Sequence, residues 1–285
     1  RLENASVVGF DLLLSEPSPD DDMFLSALQK TSPPVLPTHV LKNLTAEQPA
    51  FPYPDKVLGH VHVDPCIDGV VRSLFHFIEI NRQVIPSFSA VMAKRLGSPR
   101  KYPDVSVKQT DSFDKGMYQK DRMLINFYGG NETYPHISLA DVLTGDTWSS
   151  DYFKDKIVLV GATAAGIADF FVVPFSIDGY SMAGVELHAN ILNNLLDNTE
   201  ITSINTVFYY GLVLVYGLCC VVLFCFFNRP VLLTILSLTG LLVLSYSLFI
   251  FSHLWLAPLT FIAVTLGTLV CAHINRLENL GIALR

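Results

Sequence analysis

The 285 residues are 51% hydrophobic and only 16% charged, against about 25% charged in an ordinary soluble domain, so part of the chain meets something other than water. Charge is unevenly spread: residues 1–205 hold 16 of the 19 basic and 25 of the 26 acidic side chains, a balance of −9, while the last 80 residues carry +2. An acidic domain followed by a nearly uncharged tail excludes a nucleic-acid partner, which needs a basic stripe, and the apolar content excludes disorder.

Residues 6–14 form a near-continuous apolar run of strand length, the pattern of a strand covered on both faces. Pro17 and Pro19 stop it, and Asp20, Asp21 and Asp22 place an N-cap and negative charge where a helix begins. That helix is expected to reach Lys30, with Phe24, Ala27 and Leu28 on one face. After Pro33-Pro34, residues 35–41 read as the next strand, and the proline-rich stretch 45–55 as loop. Residues 57–63 and 70–80 read as strands flanking Asp68-Gly69, a hairpin signal. Residues 86–96 fit a helix with Pro86 in its first turn. A polar loop covers 97–120, followed by a strand over 122–127, a short helix over 138–143 and a strand over 156–160 that ends in Gly161. The spacing of Val185, Ala189, Leu192 and Leu196 predicts a helix over 184–196. Strands alternating with helices give residues 1–200 an α/β fold around a largely parallel sheet, decorated by one hairpin. Cys66 is alone in this part, the other four cysteines lying in the tail, so no intramolecular disulfide holds the domain.

Residues 201–205 are a linker to the tail. There, residues 206–227, 231–251 and 254–272 are free of charge, and each is long enough to cross the roughly 30 Å of a bilayer core at about 1.5 Å per residue. They predict an all-α bundle of three transmembrane helices over 206–273, with the lipid bilayer as its partner. The connectors Asn228-Arg229-Pro230 and Ser252-His253 are so short that the spans must run up, down and up. Arg229, Arg276 and Arg285 fall on one side and the Ser252-His253 turn on the other, which places the arginines in the cytoplasm and the acidic domain outside.

Three segments together resemble a known family. They are Val8-Gly-Phe-Asp-Leu-Leu-Leu-Ser-Glu-Pro17 with Asp20-Asp-Asp22, then Asp68-Gly-Val-Val-Arg72, and last Lys156-Ile-Val-Leu-Val-Gly-Ala-Thr163 with Gly184-Val-Glu-Leu-His-Ala-Asn190. Their order and character are similar to the type-two CHASE domain, a cyclase- and histidine-kinase-associated sensory extracellular domain of bacteria. The resemblance covers residues 1 to about 200 and extends to the three spans that typically follow. It implies the extracytoplasmic, non-enzymatic sensor of an inner-membrane signal-transduction receptor. It also implies a further transmembrane helix upstream and, beyond Arg285, an effector such as an adenylate cyclase or a histidine kinase. A protein-binding or assembly subunit of a membrane complex is the alternative reading. A transporter subunit is disfavoured, because the spans carry no intramembrane charge.

If the domain takes a small-molecule or protein ligand, the crevice at the carboxyl ends of the strands is the expected place. That selects Asp11, Glu16, Gly161, Ala162, Thr163 and Asp169. The run from Gly161 to Gly166 could offer N–H groups to an anion, but it lacks the Lys-Ser/Thr of a P-loop and reads better as a tight turn. His60 and His62 alternate on one strand face, with Asp64 extending the row, yet no third imidazole is placed nearby and no metal is expected. His188 is expected to bond a neighbouring loop in the core. Its spacing from Glu186 puts the two on different helix faces, excluding HExxH chemistry. Asp68 and Arg72 read as a turn-stabilising ion pair. With no nucleophile elbow and no SxxK motif, neither a catalytic site nor a cofactor is expected.

Leu277, Leu280 and Leu284 are spaced three then four, the start of an a/d seam on a cytoplasmic signalling helix over 274–285. Gly281 weakens that helix by about 1 kcal/mol relative to alanine, and an amphipathic stub on the membrane surface is the other reading. The seam predicts a parallel homodimer. Cysteine crosslinking in membranes is expected to be efficient at positions 277 and 284 and weak at 278 and 282; uniform or absent crosslinking removes the seam.

Overall fold

The computed structural model describes residues 2, 4–28, 34–41, 43–53, 57–81, 83–98, 117–144, 151–164, 166–167, 169–176, 181–227 and 229–283. It divides into two compact units, Arg1–Glu200 and Ile201–Arg285.

The first unit begins with β1 (Val7–Asp11), α1 (Asp21–Leu28), β2 (Leu36–Val40), β3 (Ala46–Glu47) and β4 (Leu58–His60). It continues with β5 (Ser73–Ile80), β6 (Gln83–Pro86), α2 (Phe88–Arg95), β7 (Tyr118–Leu124) and α3 (Leu139–Thr144), and closes with β8 (Ile157–Gly161), β9 (Phe170–Phe171), β10 (Met182–Ala183) and α4 (Gly184–Asp197). β1 pairs in parallel with β8, from Val7↔Ile157 to Asp11↔Gly161. β2 pairs in parallel with β4, and a Gly9↔Val35 bridge links β1 to the start of β2. Parallel strands are concentrated in this stretch. β3 is antiparallel to β2, and the long β5 is antiparallel to both β6 and β7, so the unit is a mixed α/β region of small sheets.

The hairpin lies elsewhere than at Asp68-Gly69. There the chain makes only a local turn, with the Gly69 N–H donating to Cys66 O at 2.8 Å and the Cys66 N–H to Val70 O at 3.0 Å. The Arg72 guanidinium grips Asp68 through two 2.8 Å contacts, as the sequence implies, while β4 goes to β2 rather than to β5. That grip holds the Asp68 carboxyl down at about 2. The real hairpin joins β5 to β6, closing at Ile80↔Gln83, and Asn81 turns the corner at φ 47°. Asparagine tolerates this left-handed conformation better than most residues, and so short a connection forces the strands antiparallel. Pro86 therefore ends a strand. α2 starts only after Ser87, whose hydroxyl accepts the Ala90 N–H at 3.2 Å.

Buried Val7, Val35, Leu74, Phe88, Met92, Met182, Leu187 and Ile191 belong to the main core. Two glycines let α2 settle onto the strands. A β-carbon on Gly9 would lie 2.6 Å from Met92 Sδ, and one on Gly59 would lie 2.5 Å from Phe88 Cα. On α4 the expected stripe is only half right. Val185 and Leu192 are buried, whereas Ala189 and Leu196 are half-buried. Leu187, Ile191 and Leu195 join Leu192 in the core contact, together with a polar row that is buried as well.

In the second unit, β11 (Thr202–Ser203) precedes α5 (Thr206–Phe226) and α6 (Pro230–Ser252), then β12 (Leu254–Trp255) leads to α7 (Leu259–Ala283). All three helices are long and apolar enough to cross a membrane. The third starts at Leu259 rather than at residue 254. Residues 254 and 255 pair in parallel with β11, and Pro258 supplies the first helical carbonyl, to the Ile262 N–H at 3.0 Å. α5 and α7 are joined by the Tyr216 hydroxyl to Thr265 Oγ1 at 2.7 Å and by Val264 packing on Gly217, and Tyr209 of α5 donates to the Ala257 carbonyl just before α7 at 2.9 Å. At the other end Arg276 Nη2 donates to the Phe227 carbonyl at 2.6 Å and the Phe224 carbonyl at 3.3 Å, closing the C-terminus of α5. Arg276 thus lies at the same end of the bundle as Arg229, the N-cap of α6. The Leu277 side chain is exposed, whereas the side chain of Leu280 and all of Leu284 lie outside the described residues.

Gly59→Ala forces a methyl into helix backbone, which cannot swing aside as a side-chain tip can. Overpacking of this kind costs about 1–3 kcal/mol, and a urea midpoint lower by the corresponding amount is the expected result.

Candidate functional site

The ends of β1 and β8 meet the start of α4. In the strand register Asp11 lies beside Gly161, so these two expected site residues are brought together. Gly161 is required by close approach: a β-carbon there would lie 2.5 Å from Val185 Cβ in the first turn of α4. The Gly184 N–H donates to the Asp169 carbonyl at 2.9 Å, and a β-carbon on Gly184 would sit 3.6 Å from Asp11 Oδ2. Asp11 and Asp169 therefore both border the head of α4. Ala162 is half-buried and Thr163 exposed, on a stretch that turns at Gly166 with φ 89° and continues to β9 rather than into a helix. A strand–loop–helix phosphate cradle is thus not built here, and the N-terminus of α4 faces a carboxyl group instead. Glu16 is exposed beyond β1, with no hydrogen bond or ion pair to the other five among the described residues.

Burial raises the Asp11 carboxyl above its ordinary range; His188 opposes the shift and Asp169 adds to it. Burial also lowers the His188 imidazole, against the pull of Asp11. His188 meets a helix rather than a loop: the Ser89 hydroxyl donates to the His188 carbonyl at 3.1 Å and lies 3.4 Å from Nδ1, and the Phe88 ring packs edge-on at 5.3 Å. Ser89, His188 and Asp11 share the residue types of a nucleophilic triad. Yet Ser89 is fully buried, with its proton committed to a backbone carbonyl, so the arrangement is a core hydrogen-bond network.

A second constellation escapes sequence reasoning. Glu186, Asn190 and Asn194 recur every fourth residue on α4, and all three are buried. The Glu186 carboxylate accepts the N–H groups of Glu132, Thr133 and Tyr134 at 2.9, 2.7 and 3.4 Å. Asn190 Oδ1 accepts the Tyr128 N–H at 3.1 Å. Asn194 both accepts from the Asn126 N–H at 2.7 Å and donates to the Asn126 carbonyl at 2.8 Å. The helix thus holds an irregular segment, 126–134, through side chains that do the work of a neighbouring strand. Burial, with Tyr128 and Glu186 nearby, pushes the Tyr134 phenol up to about 12. The period-four polar row was the available signal, and it reads as a solvated face until its partner is known.

His60 and His62 do not share one environment. His60 is fully buried, whereas the half-buried His62 pairs with Asp64 at 3.0 Å. Burial drives the His60 imidazole down to about 3, with His62, His188 and His76 adding like-charge repulsion. Among the described residues no three His, Cys, Asp or Glu side chains converge on a point that could hold a metal ion.

Comparison with known proteins gives one match: a family model described as the CHASE2 domain covers residues 1–225. Neither a curated protein nor a solved structure matches the chain.

Replacing the Glu186 carboxylate with an amide keeps its shape but sets an N–H₂ group against backbone donors. Hydrogen bonds to a charged group contribute about 1.5–3 kcal/mol, so Glu186→Gln is expected to lose stability in that range by urea unfolding; an unchanged midpoint would deny the row its structural role.

Proposed function

Because the chain belongs to the CHASE2 domain family, we propose that it is the sensory and membrane-spanning part of a bacterial signal-transduction receptor. CHASE2 is a sensory domain, and this segment is non-enzymatic. One observation carries the reading: the family match is joined in one chain to three helices long and apolar enough to cross a membrane. In this proposal residues 1–205 lie outside the cytoplasm, the spans sit in the inner membrane, and an effector such as an adenylate cyclase or histidine kinase receives the signal.

The direct bonding of α5 to α7 supports a relay in which the helix that follows the sensory unit in the chain displaces α7. α7 continues without interruption beyond its hydrophobic stretch, a geometry suited to parallel pairing in a homodimer. A small-molecule or protein ligand is assigned to the crevice of Asp11, Gly161, Ala162, Thr163 and Asp169, with Glu16 on the exposed stretch beside it. The partly buried Asp11 carboxyl at a helix N-terminus gives that crevice its one distinctive chemical group.

The topology is the accessible test. A reporter fused after Arg229 is expected to behave as cytoplasmic and one at Ser252 as exported; the reverse pattern would overturn the orientation and the sensor reading with it.

A further inference from the structure

Three imidazoles lie inside the sensory unit, one each from β4, β5 and α4. His60 and His76 are fully buried, and His188 is 2% exposed. Neither ring nitrogen of His60 has a hydrogen-bond partner of ordinary geometry in the protein, although the Phe75 backbone favours its charged form. A histidine kept for packing alone should have its polar atoms satisfied, because an unpartnered buried polar group costs about 1–3 kcal/mol. His60 stands as an exception, and it lies within electrostatic reach of His62, His76 and His188.

The surroundings give the cluster a place in the architecture. His76 Nε2 is 3.9 Å from Glu200 Oε2, and Glu200 is the last residue of the sensory unit, just ahead of β11 and α5 in the chain. Ser87, the N-cap of α2, is bridged to His60 and donates its N–H to the His76 carbonyl at 2.7 Å. His188 faces Ser89 and Phe88 of α2 and Asp11 of β1. Among the described residues, the titratable and charged groups that face the three rings include His62, Glu200 and Asp11, with Asp64 behind His62 and Asp169 behind Asp11.

We infer that this buried imidazole cluster makes the sensory unit responsive to protons: acidification outside the membrane loosens β4, β5 and α2 from α4. The inference rests on the reading of residues 1–205 as an outer sensor, and it names the proton as a stimulus.

The direction follows from linkage. His60 and His188 both titrate lower in the packed state than free imidazole does, His60 near 3 against 6.5. Below pH 6.5 the opened state binds more protons than the packed one. The contribution of these residues to stability is therefore complete above that pH and is lost progressively as pH falls towards 3. Each proton so coupled shifts the opening equilibrium about tenfold per pH unit. The second charge in the cluster is repelled by the first, which makes opening, rather than charging in place, the response.

The test is hydrogen exchange on the full chain in lipid nanodiscs, from about pH 7.5 to about pH 5, corrected for intrinsic exchange chemistry. In the wild type, opening of β4, β5 and α2 is expected to rise at least about tenfold per unit below about pH 6.5. His60→Phe is expected to lower that slope by about one proton, whereas the peripheral His62→Asn should retain it. Should His60→Phe fail to fold, His188→Gln supplies the same comparison, because burial also lowers that imidazole. A flat wild-type response, or an undiminished slope in the folded His60 or His188 variant, overturns the proposal. The measurement depends on neither span orientation nor an effector, so its failure leaves the sensor reading standing, and a failed topology test leaves the exchange result standing.

Discussion

A buried row of three side chains on one helix holds the sensory unit together. Glu186, Asn190 and Asn194 give α4 a face that is polar and yet turned inward, and the backbone of 126–134 is its partner. Buried amides must be paired, and this segment is too irregular to pair with a strand. The row meets that need from a helix whose next face, Leu187, Ile191 and Leu195, enters the main core. α4 can therefore be buried on nearly all sides without leaving polar groups stranded. It can also close on the ends of β1 and β8, where Gly161 and Gly184 bring it against β8 and Asp11.

The same economy of space shapes the contact with α2. Gly9 and Gly59 admit Met92 and the Phe88 backbone to distances that no side chain would allow. That tight seat is also where the buried His60 ring is confined. Packing so close leaves little room to solvate a charge, and a neutral imidazole is the form that fits.

Much of this was legible in the sequence, and the parts that were not have physical causes. Apolar runs located β1, β8 and all three long helices, although β1 is buried only over Val7–Gly9 and β8 is at most half-buried. The Asp68-Gly69 signal found a true turn, but turn chemistry does not say which strands flank it. The actual hairpin at Asn81 was concealed within one continuous β-rich stretch. Pro258 marked the start of α7 and could have corrected the third span, since residues before it favour extended backbone. At the strand ends, Asp11 and Gly161 are adjacent because the parallel register places them so, whereas Glu16 is carried away by the chain leaving β1. The polar row of α4 misled most: hydrophobic periodicity assumes that polar residues face water, and these face backbone.

The length of α7 has its own consequence. At 25 residues the helix runs about 37 Å, several ångströms more than a bilayer core, and Arg276 fixes it to the end of α5. A continuous helix transmits angle as well as position, and each residue turns it by about 100°. Any domain carried on this helix inherits an angular phase set at Arg276. Joining a different domain here is thus a matter of phase before it is one of length: one residue added or removed turns the cargo by more than a quarter of a revolution, while about seven restore its facing.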